Sequence, residues 1–158
     1  MAVTLIRYVG ALPASVWAAV TDFPAHADAV PLTTITTDAG DPRVGWRFVA
    51  RTGIGPLRVD DPMRIALWSP PGEDDGVGRV EITKEGRVLA GWASIEVAPG
   101  PTPGSTRLTW REEIDLAPVP VLTRPARLRR AADLATAALF DRAIDRFSAA
   151  ARAIDAAG

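Results

Sequence analysis

The sequence predicts an α+β fold: one antiparallel sheet of seven strands, two short helices after the first strand, and a long helix at the end. Three observations carry this. Proline and glycine punctuate the chain from residue 10 to about 125, and the segments between them are short and strand-like. The joints between most of these segments are of hairpin length, which antiparallel pairing requires. From residue 126 to Ala156 there is neither Gly nor Pro, and Ala, Leu and Arg dominate, as helix propensity favours.

The elements follow in order. Val3 to Val9 is β-branched and aromatic and is closed by Gly10, so it reads as the first strand. Pro13 to Val20 reads as a short helix, because Pro13 is acceptable in a first turn that needs no amide donor, and Pro24 stops it. A further turn or two runs from Ala25 to Val30. Six strands come next: Thr33 to Thr37, Gly45 to Arg51, Leu57 to Trp68 with an interruption at Asp60-Asp61-Pro62, Gly78 to Lys84, Gly91 to Val97, and Thr106 to Leu116. Their joints, among them Gly40-Asp41-Pro42, Gly53-Ile54-Gly55-Pro56, Pro70-Pro71-Gly72 and Glu85-Gly86, have turn chemistry. The final helix of about 30 residues spans roughly 45 Å. Its apolar stripe is Phe140, Ile144, Phe147, Ala151 and Ile154, so its second half is expected to lie against the sheet. Backwards the stripe reaches Thr136, Asp133 and Arg129 among alanines, which leaves little bulk beneath the first half.

Composition narrows the function. A chain of 158 residues suits one domain, expected over 1–158, with a single core. It has no cysteine, which removes disulfides, thiolate metal sites and a cysteine nucleophile. Eighteen Lys plus Arg against nineteen Asp plus Glu give a net charge of −1, so no global field attracts nucleic acid or an anionic membrane. The basic residues Arg124, Arg127, Arg129 and Arg130 read as a solvated helix start, with anion binding as the other reading. Lys84 is the only lysine. No run approaches the roughly 18 apolar residues of a membrane helix and no targeting segment is visible, so a cytoplasmic location without membrane insertion is expected.

Catalytic signatures are sparse. The one histidine, His26, has no visible partner and reads as a surface or capping residue; it also gives no metal-ligand spacing, so no metal site is expected. Gly53-Ile54-Gly55-Pro56 lacks both the spacing and the following helix of a phosphate-binding loop, and is expected to be a hairpin tip. No nucleophile elbow exists among the scattered serines. The five Trp residues are not interleaved with basic residues as in an RNA-binding sheet, so no nucleic-acid partner is expected. No cofactor is expected.

The order of elements, with Pro13-Ala14-Ser15-Val16-Trp17-Ala18-Ala19-Val20-Thr21-Asp22-Phe23-Pro24, the later Val30-Pro31, and Gly104-Ser105-Thr106-Arg107-Leu108-Thr109-Trp110, resembles the helix-grip superfamily. That superfamily, often abbreviated SRPBCC, includes START lipid-transfer domains, plant pathogenesis-related allergens and bacterial polyketide cyclases. The likeness covers Ala2 to Ala156; its marks describe packing and turns and are almost silent on chemistry. It implies a curved sheet wrapped around the long helix, with a cavity between them for an apolar or aromatic molecule.

Strand alternation then selects the lining. The ligand-binding set expected is Trp46, Phe48, Met63, Ile65, Leu67, Ile82, Ile95, Trp110 and Glu112, with Ala135 and Leu139 from the helix. No catalytic residue is assigned. Glu112 is the one carboxylate on an apolar face, and a buried unpaired carboxylate costs several kcal/mol, so it should be paired, solvated or functional. Arg64 and Arg51 are its candidate partners. The leading expectation is a binding module for a small hydrophobic or aromatic molecule, monomeric or homodimeric. The alternative is a polyketide cyclase or aromatase, whose proton-moving groups would have to come from Glu112, Arg64, Arg51 and His26. A third, a protein-partner module, predicts a collapsed interior.

Overall fold

The computed structural model describes residues 2–55, 57–72, 75–116 and 126–157, with the side chains of 141–157 in the last stretch. In chain order the elements are β1 (Ala2–Val9), α1 (Pro13–Thr21), α2 (His26–Ala29), β2 (Thr33–Thr37), β3 (Arg47–Ile54), β4 (Leu57–Ser69), β5 (Gly78–Glu85), β6 (Leu89–Pro99), β7 (Thr106–Leu116) and α3 (Ala126–Ala157). All strands pair antiparallel in one sheet of order β1-β7-β6-β5-β4-β3-β2. This is the helix-grip fold. The meander from β2 to β7 is made of consecutive neighbours, and β1 closes the far side against β7.

One face of the sheet turns inward. Val80, Ile95 and Val97 are fully buried and Leu108 nearly so, while their strand neighbours Arg79, Glu96 and Arg107 point outward, where Arg79 pairs with Glu81 at 2.6 Å. At one end α1 and the end of α3 close directly on this face. Trp17 of α1 meets Trp68 of β4 with ring centroids 5.0 Å apart. The Ser15 hydroxyl of α1 donates to Asp155 of α3 at 3.0 Å, and Asp155 also accepts the Leu12 amide at the start of α1. Ile144, Phe147 and Ala151 carry the inward stripe of α3. Ile154, expected to continue it, is 44% exposed, because Asp155 and not Ile154 turns toward α1.

Two expectations about β4 are corrected. The strand is not interrupted at Asp60-Asp61-Pro62: it runs for 13 residues. Pro62 is tolerated because it lies one residue beyond the ladder with β5, which starts at Met63↔Lys84. Further along, the register slips between Ile65↔Ile82 and Leu67↔Glu81, a β-bulge at Ala66. The extra residue reverses the alternation. Leu67 therefore turns outward and is 37% exposed, and Trp68 takes the inward place opposite Val80.

Gly91 of β6 sits at φ +132°, and a Cβ there would lie 2.0 Å from the Glu113 carbonyl oxygen of β7. Only glycine fits this approach. Its place in the row Lys84↔Gly91↔Ile114 matters for the site described next.

Candidate functional site

Away from α1 the sheet and α3 separate and leave a half-open cavity of about 280 Å³ between them. Its apolar walls come from Phe23, Ile35 of β2, Phe48 and Ala50 of β3, Met63 of β4, Ile82 of β5, Ala93 of β6 and Trp110 of β7, with Ala143, Ile144 and Phe147 of α3 opposite. His26, Ala29 and Val30 form the wall beside α2. An apolar cavity of about 150 Å³ is enough to hold benzene, so this space suits a one- or two-ring molecule.

Of the eleven expected ligand contacts, Phe48, Met63, Ile82, Trp110 and Glu112 line this cavity. Trp46, Ile65 and Ile95 do not. Ile65 and Ile95 lie at the closed end, where the core leaves them no exposed surface, and Trp46 is packed against Phe23 and Phe48 with centroids 5.7 Å from each. Leu67 is on the outer face because of the bulge. The side chains of Ala135 and Leu139 lie outside the described residues.

The polar part of the wall is a three-residue cluster. Lys84 Nζ donates to Asp61 Oδ2 at 2.7 Å and reaches Glu112 Oε1 at 3.1 Å. Asp61 and Glu112 are buried, 8% and 5% exposed, and the Lys84 side chain is 9% exposed. The register explains the reach. Lys84 pairs with Met63, so Asp61 is its diagonal neighbour on β4; on the other side Gly91 and Ala93 stand between Lys84 and β7, and these small residues leave the amine an open path to Glu112. Burial alone would push the Lys84 ammonium down, but the charges of Glu112 and Asp61 and their hydrogen bonds hold it above its ordinary value. Arg64 and Arg51, the expected partners of Glu112, pair instead with Glu85 at 2.7 Å and Asp60 at 2.6 Å.

Lys84 and Asp61 were missed at the sequence level, although a signal existed. Lys84 shares strand parity with Val80 and Ile82, and Asp61 with Met63 and Ile65, so the only lysine and an aspartate both fall on the apolar face.

His26 also departs from expectation, since it is part of the cavity wall and not a surface cap. Its Nε2–H donates to the Val20 carbonyl at 2.9 Å, and its ring lies 4.4 Å from that of Phe147. Burial pushes its pKa down to about 4, against the upward pull of the Val20 hydrogen bond and the Asp22 charge. The ring is neutral at pH 7 and acts as an aromatic wall.

No protein-family model and no curated protein matches the sequence. Solved structures do match in fold. A protein from Thermus thermophilus superposes with a TM-score of 0.71 at 12% identity, covering 97% of this chain and 98% of the other. The Zhui aromatase/cyclase from Streptomyces sp. R1128 gives 0.68 at 12% identity, covering 96% and 93%. A START superfamily protein from Mycobacterium smegmatis gives 0.63 at 16% identity, covering 90% and 93%. The chain thus shares the helix-grip architecture of START-like and cyclase proteins across nearly its whole length. Among the described residues no helix is long and apolar enough to cross a membrane, and no group of three or more His, Asp or Glu is placed to hold a metal ion.

Proposed function

We propose that this chain is a single-domain, cytoplasmic binding module that holds a small hydrophobic or aromatic molecule between the sheet and α3. The observation that carries the reading is the 280 Å³ cavity itself, walled by Phe23, Phe48, Met63, Ile82, Trp110 and Phe147 with a few polar groups on one side. That is the usual chemistry of a small-molecule pocket. A core without a ligand role would close such a space, because interiors pack to crystal-like density. Titration of naphthalene and larger polycyclic fluorophores against tryptophan emission tests it, since Trp110 is in the wall. Saturable binding that is lost in Ala143→Phe, which fills the cavity from α3, is the expected result. No saturable response from any probe would defeat the proposal.

A second reading is favoured by one observation, the Asp61–Lys84–Glu112 cluster in the wall. The Zhui neighbour is an aromatase/cyclase. A protonated lysine beside carboxylates can stabilise an enolate and relay a proton in ring closure and dehydration. Turnover of a poly-β-ketone thioester that disappears in Lys84→Met and Glu112→Gln would establish this reading, and a rate equal to the uncatalysed background would dismiss it.

A further inference from the structure

We infer that the cavity selects ligands whose polar head donates hydrogen bonds, a hydroxyl or above all a protonated amine, and that it rejects carboxylates. The inference rests on the binding role proposed above and specifies its ligand.

It follows from an inventory of donors and acceptors. Among the described residues lining the cavity, the ionisable side chains are Asp61, Lys84, Glu112 and His26. An ammonium has three hydrogens and no acceptor. Those of Lys84 are committed: one to Asp61 Oδ2 at 2.7 Å, one toward Glu112 Oε1 at 3.1 Å, and a long contact to Met63 Sδ at 3.8 Å. The Nε2–H of His26 is committed to the Val20 carbonyl. The Thr33 and Thr52 hydroxyls, also in the lining, bond each other at 2.7 Å, with the Pro31 carbonyl 3.5 Å from Thr33, so among the described residues little donor capacity is left over for an incoming anion.

Among the described residues acceptor capacity is in excess. Each carboxylate offers about four lone-pair directions. Among the described residues Asp61 Oδ1 is buried without a hydrogen-bond partner, and Glu112 Oε2 receives the Trp110 indole N–H at 3.3 Å. A buried polar atom without a partner is costly, so the described part of the wall favours an incoming donor. Charge points the same way. Among the described residues two carboxyl groups face one ammonium, and a ligand carboxylate would add a third acidic group to that wall. An ammonium would balance it. Fatty acids, the obvious candidates for an apolar cavity, are therefore poor ligands here.

The test uses four probes of one ring system, naphthalene, 2-naphthylmethanol, 2-naphthylmethylamine and 2-naphthoate, titrated at pH 7.5 by calorimetry and tryptophan emission. The expected order is amine, then alcohol, then naphthalene, with naphthoate about tenfold or more weaker than the amine, as befits one hydrogen bond to a charged group. Asp61→Asn keeps the shape and removes one negative charge. It should cut the amine's advantage over naphthalene to that of the alcohol, and Glu112→Gln provides the same test should Asp61→Asn fail to fold. Naphthoate binding as tightly as the amine to the wild-type protein, with naphthalene also bound, would overturn the donor rule while leaving the cavity's binding role intact. Failure of all four probes, naphthalene included, would overturn the binding role and the donor rule with it.

Discussion

Replacing Lys84 with methionine keeps the length and apolar stem of the side chain and removes the charge that holds two buried carboxylates together. In the wild-type protein the ammonium contacts Asp61 at 2.7 Å and Glu112 at 3.1 Å, and the three side chains are at most 12% exposed. Removing one partner from such a cluster strands charge in a low-dielectric wall, which costs about 3–5 kcal/mol. For a domain of this size that corresponds to a fall in Tm of roughly 6–20 °C. Urea unfolding followed by tryptophan emission at pH 7.5 measures it as a lower midpoint with unchanged slope. Arg79→Ala is the control: its pair with Glu81 is nearly half exposed on both sides and is worth about 0–1 kcal/mol. The triple variant Lys84→Met, Asp61→Asn, Glu112→Leu should recover most of the loss, because no unpaired charge remains. The pH dependence has a defined sign. The Lys84 pKa is raised on folding, so its contribution is complete below the ordinary value of 10.5 and is lost as pH rises through the higher folded value. The gap between wild type and Lys84→Met should thus stay constant from pH 7 to about 10 and narrow above that. A loss no greater than that of Arg79→Ala would show that the cluster is solvated and refute the reasoning.

Three further outcomes are expected. The depressed pKa of His26, about 4 against 6.5 when unfolded, means that its neutral form is stable in the fold above pH 6.5; as pH falls from 6.5 to 4 the wild type should lose up to about 3 kcal/mol more stability than His26→Phe, read from urea midpoints along that series. Gly91→Ala places a methyl 2.0 Å from the Glu113 carbonyl oxygen at a φ that L-residues avoid, and should cost about 2 kcal/mol or more in the same assay, whereas Gly10→Ala, with nothing within 4 Å of its Cβ, should not. The bulge at Ala66 predicts that Ile65→Ala costs about 2–5 kcal/mol while Leu67→Ala, partly exposed, costs about 1 or less; equal losses would mean an unbroken alternation in β4.

The architecture was legible because its signals are local and repeated. Turn residues marked the ends of every strand, and the glycine- and proline-free stretch from 126 marked α3, so element order and the helix-grip resemblance followed without any contact information. What escaped was set by pairing between strands. Nothing in Met63 to Trp68 announces a bulge, since Leu67 and Trp68 are both apolar and either can face the core; only the ladder with β5 decides that Trp68 does. The Asp60-Asp61-Pro62 break was a sound reading of propensity overruled by position, because Pro62 falls just outside the inner ladder.

The site divides along the same line. Parity found Phe48, Met63, Ile82, Trp110 and Glu112, and the same rule, carried through Lys84 and Asp61, places the whole polar cluster on the inward face. Distance along the sheet is what parity omits. Trp46, Ile65 and Ile95 share that face but sit within the packed core, so facing inward distinguishes wall from core only once the helices are placed. The ionic cluster depends on one more feature of that kind: the lysine on β5 reaches the glutamate on β7 past Gly91 and Ala93. A larger side chain at either position would obstruct the path and leave two carboxylates without their cation. The glycine that lets the backbone of β6 approach β7 is thus also one of the small residues that let the cavity carry charge, and the stability of the sheet and the polarity of the ligand site are linked at that row.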